Sequence, residues 1–337
     1  MSLIKTLRQV GPQTRPFIAT GLMVVVPLAC LALPSYLLAQ TPPGIKQIDF
    51  EPLDPKRDRK VPVRVYLPEQ ATAQPVVLFS HGLGGSREGN PYLGQHWAGA
   101  GFVAVFIQHA GSDRDVMKNV PLRDRFKTLK NAASYKSARD RLDDVSFVID
   151  QLEQWNQTQD HPLFGELDLE HIGMSGHSFG AVTTLGVAGQ QSFFGRKVEE
   201  PRLDAFLAMS PQPGKGPPPE KAFAQLDRPL LCMTGTRDDS PIDPTVTPES
   251  RQLVYKALPA ADKYHLVFQD GNHYTFSDAR GLRRRDRNPK HHPAIQKISV
   301  KFWQAYLLDD ADAKSWLQSD AAHTDGTLDP ADMWQWK

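Results

Sequence analysis

Short apolar runs alternate with amphipathic segments along most of this chain. Val61–Leu67 alternates polar and apolar residues, which is the pattern of a strand with one covered face. Pro75–Ser80 and Phe102–Gln108 are continuously apolar, a pattern typical of strands covered on both faces. Tyr92–Ala100, between these two runs, is predicted to be a helix.

The alternation continues through the second half of the chain. Ala132–Trp155 is predicted to be a long amphipathic helix, because its apolar residues recur at helical spacing: Leu142, Val145, Phe147, Val148, Leu152 and Trp155. The remaining predicted strands are Glu170–Ser175, Ala205–Met209, Pro229–Thr234 and Tyr264–Gln269, and the remaining predicted helices are Ala181–Ala188 and Ile295–Leu317. Strands that alternate with helices predict crossover connections and a mostly parallel sheet with helices on both faces, in a single α/β domain.

The first 39 residues have a different character. Lys5, Arg8 and Arg15 form a basic start without an acidic residue, and the uncharged, mostly apolar run Phe17–Ala39 follows. This layout is typical of an export signal that is cleaved after a small residue. The sequence therefore predicts an exported protein, periplasmic or secreted, with cleavage near Ala39.

An uncleaved membrane anchor is the alternative interpretation, because the 23 residues of the apolar run can just span a bilayer. The chain would then contact the membrane through this N-terminal segment. Pro27 and Pro34 would kink such a helix, which favours cleavage. Ala29–Cys30 resembles the end of a lipoprotein signal, but Pro27 stands where an aliphatic residue is wanted.

Composition, net charge and cysteine content indicate a globular protein without internal disulfides. Apolar residues make up 40% of the chain and charged residues 23%, as in ordinary globular proteins. A formal net charge of +1 gives no reason to expect a nucleic-acid partner. Signal cleavage would remove Cys30 and leave Cys232 as a core thiol, so no internal disulfide is expected.

Gly176–Gly180 (GHSFG) has the G-x-S-x-G pattern, directly after one predicted strand and directly before a predicted helix. This is the context of a nucleophile elbow, a sharp turn that lifts a serine onto the rim of a sheet. A glycine-rich turn of a nucleotide-binding fold is the alternative, but the chain has no G-x-G-x-x-G or Walker sequence. Ser178 is therefore the predicted nucleophile.

A serine hydroxyl is a weak nucleophile, so it needs a base, and the base needs an orienting acid. In sites of this kind the chain order is serine, acid, histidine, each after a strand. Asp238 and Asp239 follow the strand predicted at Pro229–Thr234, and His273 follows the strand predicted at Tyr264–Gln269. We prefer Asp238 as the acid that holds the imidazole tautomer, while Asp239 stays open. Alone, His273 would be interpreted as an ordinary loop residue. Its position after a strand and after Ser178 and Asp238 in the chain makes it the predicted base.

His81–Ser86 (HGLGGS) follows the strand predicted at Pro75–Ser80. Its glycines allow backbone N–H groups to turn inward, and we predict an oxyanion hole formed by the N–H groups of Leu83 and Phe179. One such donor typically contributes about 3–4 kcal/mol of transition-state stabilisation. A plain glycine turn or a phosphate cradle is the alternative, but the lysine and the following serine or threonine of a P-loop are missing.

Three motifs resemble the platelet-activating-factor acetylhydrolase and dienelactone-hydrolase-like branch of the α/β hydrolases: FSHGLGGSRE at Phe79–Glu88, GHSFG at Gly176–Gly180 and GNH at Gly271–His273. The similarity extends from about residue 60 to about residue 310. The resemblance implies the α/β-hydrolase fold and hydrolysis of an ester. It also implies an oxyanion hole built by Leu83 and Phe179.

The chain departs from this branch in two ways. Dienelactone hydrolases use a cysteine nucleophile where this chain has Ser178. The animal acetylhydrolases place the acid after the strand that follows the nucleophile helix, where this chain has Met209–Pro211 and no carboxylate. The acid is therefore expected one strand later, at Asp238. Phospholipid specificity is not implied, whereas ester hydrolysis is, and polyester and cutinase-like hydrolases share the same layout.

Four further residues are expected around the pocket: His81, Gly82, His177 and His109. His109 ends the strand predicted at Phe102–Gln108, and we expect it at the rim or in a supporting position. The long segments Gly111–Lys130 and Gln212–Leu226 are expected to border the site, because loops at the carboxyl ends of parallel strands do so.

The arginines between Arg280 and Arg287 are interpreted as a solvated basic loop, with attraction of an anionic group or a membrane surface as the alternative. No spacing of His, Cys, Asp or Glu near the site suggests a metal, and no cofactor is expected.

The predicted organisation is an export signal or N-terminal anchor at 1–39, a linker and the start of the domain at 40–58, a catalytic domain at 59–320 and a C-terminal tail at 321–337. The predicted function is hydrolysis of a small-molecule or lipid ester, with a short or medium acyl chain favoured. An acyltransferase with the same triad is the alternative, and a non-catalytic binding protein is less favoured. The oligomeric state is left open.

Overall fold

The structure is a computed structural model that describes residues 44–69, 72–191, 197–214, 216–278 and 288–337. The predicted export signal or anchor at 1–39, the start of the linker and the arginine-rich segment Arg280–Arg287 lie outside the described residues. The described residues belong to one compact unit.

The centre of the described residues is a nine-stranded sheet. The strands of the described residues are β1 Ile45–Phe50, β2 Leu53–Asp54, β3 Arg59–Lys60, β4 Val63–Pro68, β5 Gln74–Ser80, β6 Val103–Ile107, β7 Leu167–His177, β8 Ala188–Gln191, β9 Lys197–Glu199, β10 Ala205–Met209, β11 Leu230–Arg237, β12 Lys263–Asn272 and β13 Met333–Trp336. The order in the large sheet is β1-β4-β6-β5-β7-β10-β11-β12-β13. Neighbours from β6 to β12 pair in parallel, and the pairs β1–β4, β4–β6 and β12–β13 are antiparallel.

The α-helices of the described residues are α1 Pro91–Gly99, α2 Arg125–Ala132, α3 Tyr135–Gln157, α4 Phe179–Val187, α5 Pro219–Ala222, α6 Pro248–Ala257, α7 His291–Leu307, α8 Ala311–Leu317 and α9 Ala321–Thr324. Two 3-10 helices, Arg114–Met117 and Leu122–Asp124, precede α2. Within the described residues, no helix has both the length and the apolar character that crossing a bilayer requires.

The two faces of the sheet carry separate apolar cores, because alternate strand residues point in opposite directions. On β5, Val76 and Leu78 face the core formed with α3, α4 and α6, whereas Val77 and Phe79 face the core formed with α1, α7 and α8. Both faces are covered, which explains the continuously apolar β5 and β6. The predicted α/β architecture, a mostly parallel sheet with helices on both faces, is confirmed.

Two predicted helices have different bounds in the structure. The helix predicted at 132–155 begins at Tyr135, because the Ser134 side chain accepts the Ser137 N–H and caps a new helix after α2. The helix predicted at 295–317 divides into α7 and α8. Asp309 adopts a left-handed conformation with φ 51°, and Asp310 then caps α8 by accepting the Ala313 N–H.

Residues 321–337, expected as a tail, carry α9 and the edge strand β13. Strand β13 pairs with β12 from Tyr264–Trp336 to Val267–Met333. Strand β1, within the expected linker region, lies at the opposite edge of the sheet. The chain therefore covers both edges of the parallel sheet with antiparallel strands from the two ends of the described region.

Candidate active site

Ser178 lies at a sharp turn between β7 and α4. Its backbone is left-handed, with φ 57° and ψ −112°, a conformation that is strained for a residue with a side chain. A Cβ at Gly176 would lie 2.3 Å from the Gly180 carbonyl oxygen, and a Cβ at Gly180 would lie 1.9 Å from the Ser80 carbonyl oxygen. Glycine is therefore required on both sides of the serine. The Ser178 N–H donates to the Met209 carbonyl at 2.9 Å, which ties the turn to β10.

Ser178, His273 and Asp238 form one chain of hydrogen bonds at the carboxyl ends of three strands. The Ser178 hydroxyl donates to His273 Nε2 at 2.9 Å, and His273 Nδ1 donates to Asp238 Oδ1 at 2.8 Å. The serine is half-buried, whereas the histidine is 6% exposed and the aspartate fully buried. The serine is thus partly exposed to solvent, while the groups that orient its hydroxyl are enclosed.

Asp238 is held on each of its carboxylate oxygens. Oδ1 accepts from His273, and Oδ2 accepts from the Thr234 hydroxyl at 2.9 Å. Burial acts to raise the pKa of Asp238, but the His273 hydrogen bond and the Arg251 charge outweigh burial and hold the pKa below its ordinary value. Asp239 is exposed, so the structure places Asp238, and not its neighbour, against the imidazole.

Arg251, on α6, is a buried cation beside this carboxylate. Its Nε lies 3.0 Å from Asp238 Oδ1 and donates to the Asp238 carbonyl at 2.6 Å. Its Nη1 donates to the Ser210 carbonyl at 2.7 Å. Arg251 therefore joins the loops that follow β10 and β11 below the site, and its charge keeps the carboxylate ionised.

His177 supports the loop that carries His273. Its Nε2 donates to the His273 carbonyl at 3.0 Å, and its ring centroid lies 4.9 Å from that of His273. Burial lowers the pKa of His177 to about 3, and the neighbouring His273 and Arg251 act in the same direction. The ring is therefore a neutral positioning group.

The predicted oxyanion loop lies against the serine. A Cβ at Gly82 would lie 3.5 Å from Ser178 Cβ, so this part of the loop approaches the serine within van der Waals distance. Gly82, Leu83 and Phe179 are all half-buried. Phe179 is the first residue of α4, where an N–H group has no partner inside the helix. Within the described residues, no hydrogen bond uses the Leu83 N–H, whereas the Gly84 and Gly85 amides donate to Ser112 and Gly82.

The segment Gly111–Lys130 borders this loop, as predicted. A Cβ at Gly84 would lie 2.9 Å from Leu129 Cδ2 and 3.3 Å from Met117 Cε. Gly84 has φ 73°, so both its conformation and its surroundings exclude a side chain. In the other predicted border segment, Gln212–Leu226, α5 packs against α6, the helix that carries Arg251.

His81 and His109 are not exposed to the site. His81 is 3% exposed, and its Nε2 accepts the His109 N–H at 3.1 Å. His109, expected at the rim, is fully buried, with its ring between the Ser80 hydroxyl and the Asp144 carboxylate. The placement follows from the buried carboxylate on α3: Asp144 binds the His109 ring and holds it inside the fold instead of at the rim.

Sequence reasoning missed three charged residues around the site: Arg141, Asp144 and Arg251. Two of them carried a usable signal, because Arg141 and Asp144 fall in the apolar stripe of α3 with Val145 and Val148. A charged residue on a buried helical face needs a buried partner. Arg251 on the short helix α6 carried no comparable signal.

The side chains that could bind a metal are spread through the fold and do not form a cluster in the described residues. Within the described part of the chain, no group of three or more His, Cys, Asp or Glu side chains could hold a metal ion. Cys232 on β11 is a free, buried thiol.

No protein-family model matches the chain, and no curated protein matches it either. The geometry of the site is therefore the basis of the functional interpretation.

Proposed function

We propose that this protein is a serine hydrolase of the α/β-hydrolase class that cleaves a carboxylic ester through an acyl-enzyme on Ser178. One observation carries the proposal: a partly exposed serine, a histidine and a buried aspartate are hydrogen-bonded in series beside two backbone amides with no partner in the described residues. Such a series converts a weak nucleophile into a strong one.

The first half of the reaction follows from the hydrogen-bond directions. Ser178 Oγ attacks the ester carbonyl carbon while its proton passes to His273 Nε2. The negative charge that forms on the carbonyl oxygen is stabilised by the N–H groups of Leu83 and Phe179. Asp238 keeps the proton on His273 Nδ1 and stabilises the imidazolium. The imidazolium then protonates the leaving alkoxide as the ester C–O bond breaks.

The second half repeats these steps with water. His273 takes a proton from water, the hydroxide adds to the acyl carbon, and the C–Oγ bond breaks as the proton returns to Ser178. The acid is released and the enzyme is regenerated. These steps consume the ester and one water molecule and require no added cofactor.

Two features support the α/β-hydrolase class. The order of the residues along the chain is serine, aspartate, histidine, and each follows a parallel strand: β7, β11 and β12. The serine also lies at a left-handed turn that leads directly into a helix. A carboxylic ester is the favoured substrate, with a short or medium acyl chain.

The proposal is tested with p-nitrophenyl esters of increasing acyl length and with a fluorophosphonate probe. We expect turnover and labelling of the wild type, and neither with Ser178→Ala. Asp238→Asn should lower kcat by roughly a thousand- to ten-thousand-fold, because the imidazole loses its orienting carboxylate.

Asp239→Asn is the matched control, since it makes the same chemical change one residue away on an exposed side chain. It should retain wild-type kcat. Absence of both turnover and labelling in the wild type would refute the proposal. Equal losses in the two asparagine variants would refute the role given to Asp238. Accumulation of a new ester when an alcohol is added would replace hydrolysis by acyl transfer.

A further inference from the structure

A second serine–histidine–aspartate chain lies next to the first and is fully buried. The Ser80 hydroxyl donates to His109 Nε2 at 2.8 Å, and His109 Nδ1 donates to Asp144 Oδ2 at 2.9 Å. All three residues are 0% exposed. No substrate can reach this serine, so the chain is not a second reactive centre. It joins the ends of β5 and β6 to α3.

Arg141, one turn before Asp144 on α3, connects this chain to the oxyanion loop. Its side chain is also 0% exposed. Its Nη1 donates to the His81 carbonyl at 2.8 Å and to the Ser80 hydroxyl at 3.2 Å. The guanidinium therefore fixes the residue at which the oxyanion loop begins.

Arg141 also holds the loop on its other side. Its Nε donates to the Ser112 hydroxyl at 2.9 Å. The Ser112 carbonyl accepts the Gly84 N–H at 2.9 Å. Leu83 thus lies between two points, His81 and Gly84, that are both tied to one buried guanidinium.

The same guanidinium contacts the residue that supplies the second amide. Arg141 Cζ lies 4.4 Å from the centroid of the Phe179 ring, within the range of a cation–π contact. One cation therefore touches both halves of the predicted oxyanion hole. These halves are separated by about a hundred residues of chain, and the guanidinium adds a side-chain link to the close backbone packing between Gly82 and the turn at Ser178.

The charge of Arg141 is balanced only indirectly. Asp144 forms its close pairs with Arg57, Arg59 and His109. The polar contacts of Arg141 go instead to carbonyl and hydroxyl oxygens and to the ring of His81, whose Nδ1 lies 3.2 Å from Arg141 Nη2. A buried cation in such a place is costly, and a fixed positive charge behind the site favours the negative charge that forms on the substrate oxygen.

We propose that Arg141 is the positioning residue of the oxyanion hole, which holds the Leu83 and Phe179 amides in register with Ser178. The buried chain of Asp144, His109 and Ser80 fixes the side of the guanidinium that faces the sheet. This inference rests on the proposed ester hydrolysis and adds a residue that neither the motifs nor the triad includes.

The test compares Arg141→Gln with Arg139→Gln, an exposed arginine on the same helix. We expect Arg141→Gln to lower kcat by about 100-fold, with KM changed by less than about threefold, because the two amides act mainly in the transition state. Rates are expressed per active site, counted by exhaustive fluorophosphonate labelling. Arg139→Gln should behave as the wild type.

A transition-state analogue separates positioning from mere structural support. A trifluoromethyl ketone adds to the serine and places an oxyanion in the hole, so its Ki should rise by the factor by which kcat/KM falls. A purely structural role would lower the melting temperature and the number of active sites, but would leave kcat per site and Ki unchanged. That result would overturn the inference.

Two milder variants serve if Arg141→Gln does not fold. Arg141→Lys keeps the charge but loses the planar fork that reaches several acceptors at once. Ser112→Ala removes the hydroxyl that accepts from Arg141 and donates to the His109 carbonyl, and keeps the Ser112 carbonyl that accepts the Gly84 N–H. Both should lower kcat per site, by about 10-fold for Ser112→Ala, and wild-type values in both would overturn the inference. An inactive, unlabelled wild type would instead refute the proposed function itself.

Discussion

Gly180 offers the sharpest test of how closely the nucleophile turn is packed. A Cβ at this position would lie 1.9 Å from the carbonyl oxygen and 2.7 Å from the carbonyl carbon of Ser80. Both are backbone atoms at the end of the buried strand β5, so no side-chain rotation relieves the overlap. To reach 3.0 Å, the shortest separation that real Cβ contacts show, the turn and the strand must separate by about 1.1 Å.

This separation is large compared with the tolerances of the site. The hydroxyl of Ser178 lies 2.9 Å from His273 Nε2, an ordinary hydrogen-bond distance that an added separation of about 1 Å would take out of range. A displacement of about 1 Å at a reacting group costs about 100-fold in rate. Forcing extra volume into a packed interior costs about 1–3 kcal/mol, or more against backbone. We therefore expect Gly180→Ala to lower kcat/KM at least about 100-fold and to destabilise the fold.

The assay is ester turnover per labelled active site, measured well below the melting temperature, together with urea unfolding. Gly99→Ala is the control: Gly99 is exposed at the end of α1, and its Cβ would meet Ile45 Cδ1 at 3.9 Å. It should be neutral or slightly stabilising, by up to about 1 kcal/mol. If Gly180→Ala keeps both wild-type kcat/KM and wild-type stability, the reasoning from close packing is wrong.

Two further predictions concern buried titratable groups. Burial lowers the pKa of His177 and of His265 to about 3, so the unfolded chain binds protons on both below about pH 6.5 while the folded chain does not. Each of these two groups should lower the free energy of unfolding by about 2 kcal/mol between pH 7 and pH 5. The total loss should be larger, because burial also lowers the pKa of His81 and of His109. Urea unfolding at both pH values measures the loss, His265→Leu should reduce it by about 2 kcal/mol, and equal stabilities would contradict the prediction. Burial also raises the pKa of the Cys232 thiol, so an aromatic disulfide reagent should modify it only after unfolding. Rapid modification of the native protein would disprove this.

Much of the sheet was predictable because strand periodicity is a local property. Strand β6 is apolar at every position, and β5 is apolar between Gln74 and Ser80, and this pattern alone requires cover on both faces. The edges were not predictable in the same way. Strand β13 (MWQW) is too short and too mixed in character to have a clear period, and its pairing with β12 makes it a strand.

The triad was predictable for a related reason. The turn at Ser178 is specified within five residues, because the packing at positions 176 and 180 leaves no room for a Cβ and therefore requires glycine at both. The choice between Asp238 and Asp239 was not decidable from the sequence, because adjacent residues point in different directions. Only the path of the loop after β11 turns Asp238 inward and Asp239 outward.

The residues around the triad required the three-dimensional structure. His109 follows an apolar strand and looked like a rim residue, yet it is fully buried, with its ring between Ser80 and Asp144 of α3. Arg251 reaches Asp238, and Arg141 reaches His81 and Phe179, over separations of 13, 60 and 38 residues. Periodicity and turn chemistry specify where strands, helices and a nucleophile turn occur. Which buried charges meet depends on the order and register of the strands, and these follow from packing over the whole chain.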